Sequence, residues 1–319
     1  MQDERFEYAF FEGVKEIFET GLLRGKVKFN EPLSGHTSLR IGGPARVLVF
    51  PDDVVSLKNV LVMAKEQGIP IFIIGAGTNL LVRESGINGI VVSLKELRRI
   101  AIIEPPRKIF WGGTEGVTLF VEAGVPLRGL INFTKENGCS GIEELAGIPG
   151  SLGGAIYMNA GSFGKEIKDV LTGISVMKMD GEISVFEKEE LKFSYRGCSI
   201  PENSVILSAN IVLKKDSPHD VGRRIKEFIE KRMNTQPIGE HSAGCVFKNP
   251  EGDSAGRLID MAGCKGMRIG DIEVSSLHGN FFINRGRATS EDFIKLMEIV
   301  KAKVKGHSGI TLEPEIKII

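Results

Sequence analysis

Apolar residues recur at steps of four near the N-terminus, at Phe6, Phe10, Val14, Phe18 and Leu22, with acidic residues between them. That spacing predicts an amphipathic helix over residues 3–22, packed on the body of the protein as a lid or brace. Residues 24–30 are basic and polar and read as a connection. After the turn Gly42-Gly43-Pro44, residues 45–50 form a strand pattern. Residues 51–68 place Val54, Leu57, Val60, Leu61 and Ala64 on one side of a helix. The unbroken run Ile71-Phe72-Ile73-Ile74 predicts a buried strand that stops abruptly at Gly75-Ala76-Gly77, and Leu81-Val82 opens another. Further strands are expected at 90–94, 117–123, 170–179, 183–187 and 204–213, and a helix at 126–137. Asp180-Gly181 reads as a two-residue hairpin turn. Lys214-Lys215-Asp216-Ser217-Pro218 marks a boundary, followed by a charged helix over 220–233. The remainder runs turn, helix, strand, helix, and a last strand over 310–319, so the chain divides into 1–98, 99–214 and 215–319.

Composition narrows the function classes. The 319 residues exceed one simple core, and 42% are hydrophobic. Forty-one Lys+Arg balance 41 Asp+Glu, so no net field draws the chain to nucleic acid or an acidic membrane. The cysteines, Cys139, Cys198, Cys245 and Cys264, are scattered and contain no CxxC pair, which argues against a zinc site or disulfide framework. No apolar run approaches the roughly 20 residues of a membrane span, and the acidic N-terminus does not read as a secretory signal. A cytoplasmic protein is expected.

The bend Gly75-Ala76-Gly77-Thr78-Asn79-Leu80 carries candidate chemistry. Two glycines one residue apart let the backbone turn and aim N–H groups at a ligand, and Thr78 and Asn79 add a hydroxyl and an amide. An anion such as pyrophosphate suits that array. The dinucleotide fingerprint GxGxxG does not apply, because Leu80 stands where its third glycine belongs and a strand follows where a helix is required. A Gly-x-Gly bend between strands is by itself more often a plain tight turn. A second cluster, Gly147-Ile148-Pro149-Gly150-Ser151-Leu152-Gly153-Gly154-Ala155, offers a proline-fixed turn and small residues opening a short helix. Ser151 could cap that helix while its first amides hold an anion. Close packing of helix on strand is the plain alternative.

Taken with Ser38-Leu39-Arg40-Ile41-Gly42-Gly43-Pro44-Ala45, these two segments resemble the UDP-N-acetylenolpyruvoylglucosamine reductases of peptidoglycan synthesis, from about Leu33 to the C-terminus. More loosely, the chain is similar to the wider class of flavoproteins with the vanillyl-alcohol-oxidase type of FAD domain. The resemblance implies an α+β fold: a two-subdomain FAD-binding domain of the vanillyl-alcohol-oxidase/PCMH type (1–98 with the N-terminal helix, and 99–214) plus a smaller C-terminal α+β substrate domain (215–319). FAD would lie between the subdomains, its pyrophosphate on residues 75–79, with Arg40 and Leu80 beside it and Gly147, Ile148, Pro149, Gly150, Ser151, Gly153 and Gly154 lining it. None of the five histidines lies near either cluster, so non-covalent FAD is expected.

The same resemblance implies the catalytic set. In Phe193-Ser194-Tyr195-Arg196-Gly197, Arg196 matches an active-site arginine, with Tyr195 as a substrate contact; a surface salt bridge or stacking contact is the bland reading of such a pair. In His241-Ser242-Ala243-Gly244-Cys245-Val246-Phe247-Lys248-Asn249, Cys245 stands where the family usually has a serine proton donor. A thiol, with a pKa of roughly 8.5, is a far better acid than an alcohol. A buried inert thiol is the alternative. Near the end, Glu315 matches the catalytic glutamate and Glu313 is a structural decoy. Lys248, Asn249, Arg257, His278, Asn280 and Asn284 are candidate substrate contacts. With tyrosine only at Tyr8, Tyr157 and Tyr195, the form lacking a tyrosine-bearing lid is expected. The partners implied are NADPH and a UDP-sugar enolpyruvyl ether, with no nucleic acid, no membrane insertion and a monomeric state. A flavin oxidase of an alcohol or sugar on the same scaffold, or a non-catalytic FAD or nucleotide-binding protein, remains an alternative.

Overall fold

The computed structural model describes residues 15, 19–103, 110–111 and 114–319. The helix expected over residues 3–22 lies almost wholly outside them. Contacts divide the chain into two compact units, neither contiguous: residues up to 29, 46–76 and 88–228 make the first, and 30–45, 77–87 and 229–319 the second. The linear reading above cuts the chain at 98 and 214 instead.

The first unit is built on two sheets. In the smaller, the strands Gly25–Pro32, Pro44–Pro51, Ile87–Ser93 and Ile71–Ile74 lie in that order, the last two parallel. Its central strands bury Val47, Leu48, Val49, Ile90, Val91 and Val92 completely, as expected of near-continuous apolar runs covered on both faces. The edges correct two expectations. Residues 24–30 are mostly strand, because an edge strand is held by backbone pairing and tolerates polar side chains. Ile71–Ile74 is an edge strand too, and Phe72 is 36% exposed. The helix Val54–Glu66 buries Leu57, Val60, Leu61 and Ala64, and Asp53 caps it by accepting from the Ser56 N–H at 2.7 Å.

The larger sheet is antiparallel and has seven strands, with Ile183–Glu187, Leu171–Lys178, Ser204–Lys215, Thr114–Glu122 and Ile100–Ile103 along its main path. The expected two-residue turn at Asp180-Gly181 is a wider loop. Met177 pairs with Ile183, and the Lys178 N–H donates to the Glu182 carbonyl at 2.9 Å. Asp180 sets the width by accepting the Glu182 N–H at 3.1 Å through its own side chain.

The second unit packs the helix Ser290–Ser308 on the hairpin strands Arg268–Ile269, Ile272–Val274 and Phe282–Asn284. Phe282 lies at its centre, 6.1 Å from Phe247 and 5.3 Å from Phe293 between ring centroids. The helix starts with a full capping box, Thr289 and Asp292. Of the last strand expected over 310–319, only Lys317–Ile318 is strand, parallel to Leu80–Leu81. Pro314 interrupts it, since proline has no N–H to give a ladder.

One buried charge braces the first unit. Glu143 is 4% exposed. Burial raises its carboxyl, but the Gly141 N–H at 2.6 Å and Arg224 Nε at 2.9 Å, with its own amide and Ser140, hold it below the usual carboxylate value. Arg224 also reaches Asp216 at 2.5 Å, tying the helix Pro218–Met233 to the end of Ser204–Lys215. A depressed folded pKa contributes stability above the unfolded value, near 4.3, and loses it as pH falls through the folded one. Glu143→Gln should therefore flatten the acid limb of stability against pH, read as urea midpoints between about pH 5 and pH 3. Arg224→Ala should cost about 3 kcal/mol at neutral pH, because it strands a buried carboxylate.

Candidate functional site

Both glycine clusters are structured as the chemistry requires, and in the first unit they touch. A Cβ placed on Gly75 would sit 2.6 Å from Ser151 Oγ and 4.0 Å from Gly154 Cα. Gly75, Ala76, Gly147, Pro149 and Gly154 are exposed, so this meeting point is a surface of backbone with little side-chain bulk. The residues fit a dinucleotide such as FAD, since a Cβ at Gly75 would close the cradle against Ser151. Ser151 is the residue before the helix Leu152–Tyr157, but its hydroxyl does not cap it. The first helical amides are also occupied: the Leu152 N–H donates to the Val125 carbonyl and the Gly153 N–H to the Ala123 carbonyl, each at 2.8 Å. Ser151 and its neighbours hold the helix on the sheet, so an anion would have to use the residues 75–78 side of the cradle.

Between Ala76 and Gly77 the chain passes into the second unit. Gly77 has φ +66°, and a Cβ there would lie 2.0 Å from the His36 carbonyl oxygen. The Gly77 carbonyl accepts from the Ser38 N–H at 3.0 Å. Arg40, exposed and at φ +57°, turns the same segment through its N–H to the Thr37 carbonyl at 3.2 Å. Asn79, expected as a phosphate donor, reaches the far end of the chain instead. Its Nδ2 donates to the Glu315 carbonyl at 3.2 Å, and its carbonyl accepts from the Lys317 N–H at 3.1 Å.

Cys245 and Glu315 meet on adjacent backbones. Cys245 pairs with Phe281 on one side, and Phe247 with Pro314 on the other. The Glu315 N–H donates to the Val246 carbonyl and the Lys248 N–H to the Glu313 carbonyl, each at 2.8 Å. Residues 245–248 are thus flanked by residues 280–281 and 313–315. Cys245 and Glu315 are both half-buried. Glu313 is exposed and pairs with Lys248 Nζ at 3.3 Å.

Several expected substrate contacts are engaged as braces. Asn280, 1% exposed, clamps Phe247: its Oδ1 accepts the Phe247 N–H at 2.9 Å and its Nδ2 donates to the Phe247 carbonyl at 2.8 Å. Asn284 donates to the Leu39 carbonyl at 2.9 Å, and its Oδ1 accepts the Gly286 N–H at 2.9 Å and the Ala288 N–H at 3.2 Å. Asn249 accepts the Ala255 N–H at 3.0 Å. His278 accepts the Asn280 N–H at its Nδ1, packs edge-on against Phe281, and is held below the usual histidine pKa by burial. Arg257, exposed, is forked onto Asp253.

Arg196 belongs to the first unit. With Tyr195 it forms the tip of a hairpin, Lys192–Ser194 with Gly197–Ser199. Arg196 is half-buried at φ +59°, a conformation costing a non-glycine residue about 1–2 kcal/mol, and its guanidinium stands 5.0 Å from the Tyr195 ring centroid. The next cysteine, Cys198, is pushed up to about 11 by burial.

Two residues escaped the sequence reading. Arg232 sits in a run that reads as a charged surface helix, yet it is 5% exposed. Burial pulls its pKa down, and the charge of Cys245 opposes that shift. Asn159, four residues past the second glycine cluster, has no role in that reading and is fully buried. Among the described residues no cluster of His, Cys, Asp and Glu could hold a metal, and no helix is long and apolar enough to cross a membrane.

The cradle predicts an unequal pair of substitutions. Gly68 also has positive φ but open space around it, so Gly68→Ala should cost about 1 kcal/mol. Gly77→Ala adds a clash with a backbone carbonyl and should cost more than about 3 kcal/mol. Urea denaturation of the two variants side by side measures the difference.

Comparisons with known proteins agree along the chain. Residues 45–187 match the FAD binding domain family, and residues 236–319 match the family described as UDP-N-acetylenolpyruvoylglucosamine reductase, C-terminal domain. The chain is 40% identical over 307 residues to the UDP-N-acetylenolpyruvoylglucosamine reductase of Caldanaerobacter subterraneus, covering 96% of each. It is 38% identical to that of Geotalea uraniireducens over 93% of this chain and 95% of that one. The crystal structure of the Thermus caldophilus reductase superposes with a TM-score of 0.75 at 34% identity, over 93% of this chain and 99% of that one. At these identities and coverages, the chain belongs to the UDP-N-acetylenolpyruvoylglucosamine reductase family.

Proposed function

We infer that the protein reduces the enolpyruvyl ether of UDP-N-acetylglucosamine to the lactyl ether, UDP-N-acetylmuramate, in peptidoglycan precursor synthesis. FAD is its redox cofactor and NADPH its hydride donor. The observation that carries the reading is the hydrogen bond from the Glu315 N–H to the Val246 carbonyl, because it sets the expected glutamate beside the expected acid, Cys245. When bound, FAD supplies the two-electron relay between NADPH and C3 of the enolpyruvyl group. Gly75, Ala76, Gly77 and Thr78 hold its pyrophosphate, and Gly147, Gly153 and Gly154 line it. We assign residues 1–98 and 99–214 to cofactor binding and 215–319 to the substrate, in a monomeric cytoplasmic enzyme.

The chain's own residues then manage charge and one proton. As C3 gains hydride, the electron pair of the double bond moves onto C2 and its carboxylate. Arg196 pairs with that carboxylate, and Glu315, either protonated or positioning a donor, polarises it, so the enolate is stabilised as it forms. Cys245 gives its S–H proton to C2 and is left as thiolate, beside the buried positive charge of Arg232. A cation near a thiol favours the thiolate over the thiol, and on that ground Arg232 is assigned to this step. Lys248 is the contact proposed for the substrate diphosphate, with Tyr195, Asn249, Arg257 and His278 around the sugar nucleotide. An oxidase on this scaffold is less well supported, since residues 236–319 match the reductase's own C-terminal family.

Rapid-mixing absorbance of the flavin separates the two half-reactions. Cys245→Ala should leave bleaching by NADPH within about threefold of normal and slow reoxidation by the enolpyruvyl substrate at least about 100-fold. Cys245→Ser should retain much of the activity. If Cys245→Ala reoxidises at the normal rate, Cys245 is not the acid. Arg232→Gln should move the pH midpoint of Cys245 alkylation by iodoacetamide upward, and an unchanged midpoint would remove Arg232 from the site.

A further inference from the structure

We propose that Asn159 is the positioning residue that holds the Arg196 turn against the helix Leu152–Tyr157, so that the guanidinium is placed relative to the second glycine cluster. This rests on the role given to Arg196 above. Asn159 is 0% exposed and sits at φ +41° just past the end of that helix. Its Nδ2 donates to the Ser194 carbonyl at 3.1 Å, the last residue before the Tyr195-Arg196 tip. Its Oδ1 accepts the Lys168 N–H at 3.4 Å.

Ending the helix does not require that amide. Asparagine is a common left-handed residue at a helix end, but here the termination uses backbone alone. The Asn159 N–H donates to the Ile156 carbonyl at 3.0 Å, and the Ala160 N–H to the Ala155 carbonyl at 2.7 Å. Glycine would serve there equally well. What glycine could not do is bridge two other segments.

The hairpin needs an outside tie. It has only three residue pairs, Lys192 with Ser199, Phe193 with Cys198 and Ser194 with Gly197, and an isolated two-stranded hairpin is marginal in water. Its tip also carries Arg196 in a left-handed conformation, which persists only when the surroundings impose it. A buried hydrogen bond to the carbonyl next to the tip, from a residue anchored on the glycine-cluster helix, provides that constraint. The Arg196–Tyr195 stacking contact lies within the tip and moves with it.

Two variants of the full chain test this, with Arg196→Gln as reference. Asn159→Gly keeps the backbone and removes the amide. Asn159→Asp keeps shape and backbone preference but replaces the donor with a carboxylate oxygen. Both should speed hydrogen exchange of the 192–199 peptide in the flavin-free protein by at least about 10-fold, leaving 282–284 unchanged. In the flavin-loaded protein both should slow reoxidation by substrate about 100-fold, with NADPH bleaching within about threefold of normal. Normal exchange and normal reoxidation would overturn the proposal. So would loss of both half-reactions, protection lost across the whole chain, or failure of both variants to fold, because each means that Asn159 supports the fold at large. If Arg196→Gln itself reoxidises normally, the error lies in the role of Arg196 and not in the tie.

Discussion

The second unit is organised around the grip of Asn79 on the end of the chain. Its side-chain amide holds the Glu315 carbonyl, and its own carbonyl takes the Lys317 N–H. Those two bonds bracket Glu315 and set the register in which Leu80–Leu81 and Lys317–Ile318 pair. The first joins residues 236 positions apart. Loop-closure entropy grows only with the logarithm of that distance, so the burial of Leu81, Leu312 and Ile316 in one core with Phe247 and Phe282 is enough to keep the pairing. A bend that reads as a ligand loop is therefore also a clamp on the backbone around Glu315.

The same economy of parts recurs around Cys245. Residues 245–248 have hydrogen-bonding neighbours on both sides, and both asparagines nearby act on backbone rather than on ligand. A short segment flanked in this way has little freedom. Rigidity is what a proton donor needs, since transfer depends on a heavy-atom separation near 3 Å. The amide of Asn280 fixes the backbone at Phe247, two residues from the thiol.

Buried charge appears in two forms. Glu143 with Arg224 and Asp216 is a satisfied network that ties helix to sheet, with hydrogen bonds outweighing the cost of burial. Arg232 is a buried cation whose charge is coupled to a cysteine. The first arrangement belongs to the fold. The second places a buried cation within electrostatic reach of a thiol in the second unit.

Much of this was legible in the residues. Strands and helices with strong apolar periodicity, such as 54–66, 171–178 and 183–187, fall where the pattern puts them, and both glycine clusters are bends. Residues 24–30 and Ile71–Ile74 differ from the pattern because edge position and pairing partners are not written in local periodicity. Residue order was enough for the family and the bends, since these depend on residue type and on conformations that favour glycine. Tertiary structure alone decided that Asn79 grips Glu315, that Arg232 is buried, and that Asn159 reaches Ser194. Each of those joins segments far apart in the chain or reverses an exposure that composition predicts, and only packing can bring about either.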